Sequence, residues 1–261
     1  MRLAFLLYQY VPYGGRQRDL RRFVEELRER GHHCRVYCIS WQGAALEGAD
    51  VRRMPAAGFS SHPREQRFLA WVRADLDRDP VDGVIGFNRM PGLDIYYATE
   101  SCYLDKALRE RGRLFRRSAI FRHCADWERA VFAPGNDTQI LLVSSSQRDG
   151  FEQLYHTPPP RMHLLPPGVA TDRRASSDAT ERRKAVRARL GLESQELALL
   201  FVASEFIAKG LDRAITALAH VREAQPSVKS RLLVEGQEKP RRFQRLARRL
   251  GVADGGVFLG G

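Results

Sequence analysis

Two α/β lobes, each a parallel sheet covered by helices, are what this 261-residue sequence predicts. Short apolar runs recur between helical stretches, at Leu3 to Tyr8, Arg35 to Ile39, Val84 to Phe87, Ile140 to Val143, Leu197 to Val202, Leu232 to Val234 and Val257 to Leu259. Strand-length runs alternating with helices build parallel sheets. Two of these runs pass through a loop straight into a helix: Leu3 to Tyr8 by way of Gly14-Gly15, and Leu197 to Val202 by way of Ala203 to Gly210, whose loop holds Lys209. Such strand-loop-helix junctions are where nucleotide-using folds place their ligands, so two lobes facing one cleft are expected. Between them, Pro158-Pro159-Pro160 and Pro166-Pro167-Gly168 bracket a short strand. Consecutive prolines mark a connection, and the boundary is placed near Val169 to Arg174, giving lobes of 1–170 and 171–261.

The first run, Met1 to Leu7, is too short for a leader: Gln9 and Pro12 interrupt it and no small-x-small cleavage site follows. It reads as a buried strand. A helix from Gln17 to Arg30 is expected, with Leu20, Phe23, Val24 and Leu27 at helical spacing and Gly31 as its stop. Its opening amides, Gln17 to Leu20, present free donors and a positive dipole end to an anion, and the glycines let the backbone approach closely. Asp19 stands in this first turn, where the dipole alone favours an acid. Lys209 can also be read as a plain surface lysine.

Cys34, Cys38, Cys102 and Cys124 form no CxxC pair. His32 and His33 lie beside the first two, but thiols four residues apart on a strand are about 13 Å apart, which argues against a shared metal. Asp75-Leu76-Asp77 carries a D-x-D pattern, yet it ends a helical run before Pro80 and reads as a solvated helix end. No metal site is expected.

An excess of 43 Lys and Arg over 31 Asp and Glu gives net charge +12, which suits an anionic partner. The arginines lack a nucleic-acid recognition motif. The first glycine loop is not GxGxxG, and the second strand ends at Ser40-Trp41 instead of an acid, which argues against a nicotinamide cofactor. The chain lacks the roughly 18 consecutive apolar residues of a membrane span, so a cytosolic or peripheral protein is expected. Tyr103 to Phe132 holds eight basic against four acidic residues, interleaved with Leu114, Phe115, Phe121, Trp127 and Phe132. That composition fits a segment lying on anionic lipid, with Arg113, Arg116, Arg117, Phe121 and Trp127 as the surface. It fits equally a basic helix whose aromatics face the core.

Together, Tyr10-Val11-Pro12-Tyr13-Gly14-Gly15-Arg16-Gln17-Arg18-Asp19, Arg30-Gly31-His32-His33-Cys34-Arg35-Val36-Tyr37, Gly86-Phe87-Asn88-Arg89-Met90-Pro91-Gly92-Leu93-Asp94, Cys102-Tyr103 and Leu165-Pro166-Pro167-Gly168 resemble the bacterial lipopolysaccharide core glucosyltransferase I family. The resemblance runs in order from Met1 to the last residues. It implies a retaining GT-B glycosyltransferase with two Rossmann-like lobes, which transfers glucose from UDP-glucose to an inner-core heptose. The acceptor would sit on the first lobe and the nucleotide on the second, with no cofactor and no required metal. Asp19, Glu100 (an aspartate in the family) and Lys209 are the implied catalytic positions. Gly14, Gly15, Ser204, Lys209 and Gly236 are the implied contacts to the donor and its diphosphate. The implied partners are the nucleotide sugar, the lipopolysaccharide acceptor and the anionic inner face of the inner membrane, with a cytoplasmic, peripheral location and no nucleic acid.

The sequence departs from that pattern at Ala203, where a glycine is usual, and at Glu235, where an apolar residue is usual. The resemblance also implies a pair of glutamates, seven residues between them, that has no counterpart before Gly261. The second lobe is therefore expected to be truncated, with an uncovered sheet edge and an open apolar face, and the chain to be a fragment or a truncated relative of impaired activity. The alternative is a non-catalytic remnant that binds lipopolysaccharide or membrane.

Overall fold

The computed structural model describes residues 1–12, 14–55, 61–169, 174–236 and 238–260. The chain divides into two compact units, Met1–Val169 and Ala170–Gly261. Residues 170–173, most of the expected hinge, lie outside the described residues.

The first unit runs β1 (Arg2–Leu6), β2 (Gln9–Tyr10), α1 (Gly15–Glu29), β3 (His33–Cys38), β4 (Ser40–Trp41), β5 (Asp50–Arg53), α2 (Ser61–Arg78), β6 (Gly83–Gly86), β7 (Ile95–Ala98), α3 (Tyr103–Glu110), α4 (Ala119–Phe132), β8 (Gln139–Leu142), α5 (Arg148–Tyr155) and β9 (Met162–Leu164). Seven of these strands form one sheet in the order β5-β3-β1-β6-β7-β8-β9, with every neighbouring pair parallel. Side-chain alternation along β1 sends Ala4 and Leu6 into a core with α2, α4 and α5, and Phe5 and Leu7 into a second core against α1. Both faces are thus covered, as a parallel sheet requires.

Helix α1 starts at Gly15, two residues before the position expected. Gly14 is extended, with φ −72° and ψ 139°, and its carbonyl accepts from the Arg18 amide at 3.0 Å, so the first turn closes on the glycines themselves. Strands β5 and β7 were not among the expected runs. Asp50-Val51-Arg52-Arg53 is polar because β5 is the sheet edge. Asp75 is not a solvated helix end: its carboxylate accepts from the Tyr37 hydroxyl at 2.6 Å and pairs with Arg52. Those bonds hold it ionised below the usual carboxylate range, the Tyr37 hydroxyl foremost.

The second unit runs α6 (Ala179–Arg189), β10 (Leu197–Val202), α7 (Phe206–Lys209), α8 (Leu211–Ala224), β11 (Ser230–Glu235), α9 (Arg241–Arg249) and β12 (Gly256–Gly260). Its three parallel strands lie in the order β10-β11-β12. One face packs Leu199, Phe201, Leu232 and Val234 on α8 and α9. On the other face of β10, Leu200 is 66% and Val202 67% exposed.

Candidate active site

In the first unit the chain leaves β1 for β3 and β5 on one side, then returns to β6 on the other. The strand order therefore reverses between β1 and β6, and ligands of such sheets bind in the crevice beyond the carboxyl ends at that reversal. The start of α1 and the Phe87 to Arg89 turn occupy this place. The Gly14 amide donates to the Val11 carbonyl at 3.2 Å, so it is taken up by the turn, contrary to its expected role as an anion donor. The amides of Gly15, Arg16 and Gln17 make no hydrogen bond among the described residues, because a helix leaves its first-turn donors unpaired. Of the donors expected at Gln17 to Leu20, Gln17 alone belongs to this set, because the helix begins two residues earlier.

Charged side chains bind this crevice together. Glu100 pairs with Arg16 of α1 and with Arg89 of the β6–β7 connection. Arg89 uses its other terminal nitrogen on Glu128 of α4. Glu128 is fully buried and also accepts from the Tyr103 amide at 2.7 Å, the Leu104 amide at 2.9 Å and the Tyr155 hydroxyl at 2.7 Å. It thereby caps α3, which has no cap from its own Cys102. Burial works against charge on Glu100, but the Arg89 and Arg16 guanidiniums outweigh it and hold the carboxyl below the ordinary glutamate range. Cys102 is pushed up to about 12, first by burial and then by Glu128, so it is a thiol without nucleophilic character.

Asp19 lies one turn into α1, half-buried, and accepts from the Tyr97 hydroxyl at 3.0 Å. It lines a cleft of about 460 Å³ with Arg22, Phe23, Tyr97 and the Leu165 to Gly168 segment. Asp19 and Glu100 thus flank the same helix start. Arg16, Arg89 and Glu128 were not singled out from the sequence. Glu128 left a readable trace, because helical spacing sets it on the inward stripe with Cys124, Trp127 and Val131, where a carboxylate demands partners.

In the second unit, Ser204 follows β10, Gly236 follows β11 and Lys209 ends the short helix α7. Ser204 and Lys209 are exposed, and the Lys209 ammonium has no ion pair among the described residues. Gly236 has φ 153°, and a Cβ there would collide with the Ala203 carbonyl oxygen and the Phe206 ring. The two loops touch at that point, and only glycine admits the contact. Ala203 is itself buried and its amide donates to the Glu235 carbonyl at 3.1 Å, so the residue that replaces the family's glycine packs the loop inward. Glu238 accepts from the Phe206 amide and caps α7.

Tyr103 to Phe132 is broken into α3, a short 3₁₀ turn at Phe115–Arg117 and α4. Trp127 is 9% exposed and belongs to the first unit's core, which overturns its assignment to a lipid-facing surface. Phe121 is half-buried against the Tyr103 and Phe115 rings. Arg116 donates to the Leu108 carbonyl at 2.8 Å. Outward-facing residues are Leu114, 82% exposed, and Ile120, with Arg113 and Arg117 beside them. No described helix is long and apolar enough to cross a membrane.

A doubly covered parallel sheet with a glycine-opened helix at its reversal, and a second parallel unit with a lysine at its strand ends, define the GT-B class of glycosyltransferases. Residues 13–173 match glycosyltransferase family 4, and the chain belongs to that family. Over its whole length it is 40% identical to the lipopolysaccharide glucosyltransferase WaaG of Escherichia coli, of which it spans 70%. The crystal structure of WaaG superposes with a TM-score of 0.90 over 99% of this chain and 70% of the other. A D-inositol 3-phosphate glycosyltransferase of Streptomyces scabiei is 35% identical over 133 residues, 45% of this chain and 29% of that protein. A Rickettsia africae glycosyltransferase shares the fold at a TM-score of 0.67 and 12% identity, covering the whole chain and 68% of its own.

Proposed function

We propose that this glycosyltransferase adds glucose from UDP-glucose to a heptose of the lipopolysaccharide inner core, with retention of anomeric configuration. The observation that carries the reading is the 40% identity to WaaG across the entire chain, which includes the Gly86 to Asp94 turn that supplies Arg89.

In the reaction the bond from the glucose anomeric carbon to the diphosphate breaks, and a bond to the acceptor hydroxyl oxygen forms. The proton of that hydroxyl leaves with the departing diphosphate. Charge grows on the diphosphate as it leaves, so a cation or aligned amides aimed there lower the barrier. Lys209 is the second unit's cation for this role, with Ser204 and the Gly236 turn shaping its surroundings. The first-turn amides of α1 offer the first unit's donors. Asp19 and Glu100, both fixed by partners, are suited to accept hydrogen bonds from sugar hydroxyls. No metal is required in this reading.

The acceptor is lipid-linked, and the Leu114 and Ile120 side chains with Arg113 and Arg117 offer an apolar tip within a basic collar. This supports peripheral attachment to an anionic membrane face through aliphatic insertion and charge. The test is transfer: UDP-glucose with heptose-terminated lipopolysaccharide should yield a product heavier by one hexose, with α-glucose shown by NMR. Consumption of UDP-glucose with no lipopolysaccharide product, or vesicle binding with no turnover of any sugar nucleotide, overturns the reading.

A further inference from the structure

Glu100 is held from two sides, and the two holders differ in kind. Arg16 sits on the first turn of α1, its side chain 24% exposed, and pairs with Glu100 alone among the described residues. Arg89 has a side chain only 16% exposed and spans two carboxylates, Glu100 and the wholly buried Glu128. Glu128 is immobilised in turn by the Tyr103 and Leu104 amides and the Tyr155 hydroxyl. A chain of charge-assisted contacts therefore runs from α4 through Arg89 to the crevice carboxylate and on to the start of α1. A guanidinium can hold two carboxylates in fixed directions because its donors form a rigid fork, which an ammonium does not offer.

We infer that Arg89 is a positioning residue: it sets the place of the Glu100 carboxylate in the crevice by anchoring it to Glu128 of helix α4. The inference deepens the glucosyltransferase reading, since it rests on Glu100 facing a sugar. Arg89 touches no reacting atom itself. The titratable and charged groups that face Glu100 are Arg16 from α1, Arg89 from the β6–β7 connection and Tyr96 from β7, with Glu128 of α4 behind Arg89.

Two variants separate positioning from mere support of the fold. Arg89→Met strands a buried carboxylate at Glu128 and should melt early, because an uncompensated buried charge is strongly destabilising. Arg89→Met with Glu128→Gln removes that charge and should recover most of the melting temperature. The readout is the Glu100 carboxyl resonance in the full chain labelled with ¹³C-glutamate, assigned with Glu100→Gln and followed through a pH titration. Its midpoint should rise by about one pH unit when the adjacent guanidinium is removed, and it should stay raised in the double variant although the fold has recovered. Arg89→Lys, which keeps the charge and loses the fork, should fall between. A Glu100 midpoint that is unmoved in the double variant and in Arg89→Lys overturns the inference.

Kinetics add the second reading. In transfer from UDP-glucose, the double variant should lose about ten- to a hundredfold in kcat, the scale of a misplaced group, with little change in KM for the donor. An unchanged kcat in a folded double variant also overturns it. Should the native chain transfer no glucose at all, the glucosyltransferase reading falls, while the Glu100 titration still decides the role of Arg89.

Discussion

The two crevices at the strand ends solve the same problem in opposite ways. In the first unit, Arg16, Glu100, Arg89, Glu128, Asp19 and Tyr97 satisfy one another, so the polar groups are fixed before any ligand arrives. In the second unit, order comes from backbone contact at Gly236 and Ala203, and Lys209 stands exposed without a protein partner among the described residues. Under the proposed function, a satisfied network would preorganise carboxylates for neutral sugar hydroxyls, and an unpaired cation would be free to meet an anion. The difference teaches where a change of a charged side chain should be felt: on chemistry in the second unit, on architecture and charge state in the first.

The sharpest way to break this contrast is Lys209→Ala. It should slow glucose transfer by about a hundred- to a thousandfold, the range for losing one group that stabilises developing charge, and leave the melting temperature unchanged. A variant with unaltered kcat/KM removes Lys209 from the mechanism. Next in size is Gly236→Ala, whose methyl meets a carbonyl and should destabilise the second unit by at least about 2 kcal/mol. Its counterpart Gly15→Ala has open space around the added Cβ and lies at a helix start, so it should change stability by less than about 1 kcal/mol. Equal losses in thermal unfolding would erase the distinction between the two loops.

A smaller effect is expected at the membrane. Reversing Arg113 and Arg117 to glutamate should weaken sedimentation with anionic vesicles at least about tenfold, at roughly 1 kcal/mol for each basic residue near the surface. Trp127→Phe, a change within the core, should leave vesicle binding as it is. Native binding that persists at 1 M salt, where screening shortens to about 3 Å, counts against a basic surface. The smallest effect concerns acid stability. Glu100 ionises more readily in the folded chain than in the unfolded one, so its contribution is present above about pH 4.3, the ordinary glutamate value. It is lost as pH falls through the lower folded pKa. Glu100→Gln should flatten that part of the melting-temperature profile, and an identical profile places its stabilisation elsewhere.

Much of the fold was legible because it is written in local pattern. Leu197–Val202 is a strand at the bounds its apolar run gives, and the proline-bracketed segment supplies edge strand β9. Ile95–Ala98 carries no strand signal because four residues that follow a glycine turn hold too few alternations, and Asp50–Arg53 carries none because an edge strand needs no apolar face. The site was legible only in outline. The two glycines and Lys209 stand out by their place next to strands, but Arg16 meets Glu100 across 84 residues and Arg89 meets Glu128 across 39. In a chain with 43 basic residues, nothing local tells a buried arginine from a solvated one. The aromatic residues of the basic segment misled for the same reason: composition counts Trp127, and only packing decides which way it faces.

One feature of the first unit has an optical use. Tyr10 and Trp41 stack with ring centres 3.7 Å apart and planes 4° from parallel, clipped together by the β2–β4 pairing. Gln17 in the first turn of α1 donates to the carbonyl of Gln9, the neighbour of Tyr10, at 2.9 Å. A ligand on the first-turn amides that shifted Gln17 would disturb the strand that carries one half of this stack. Trp41 emission should then gauge that helix start, read in a Trp71→Phe, Trp127→Phe background that leaves Trp41 as the single tryptophan.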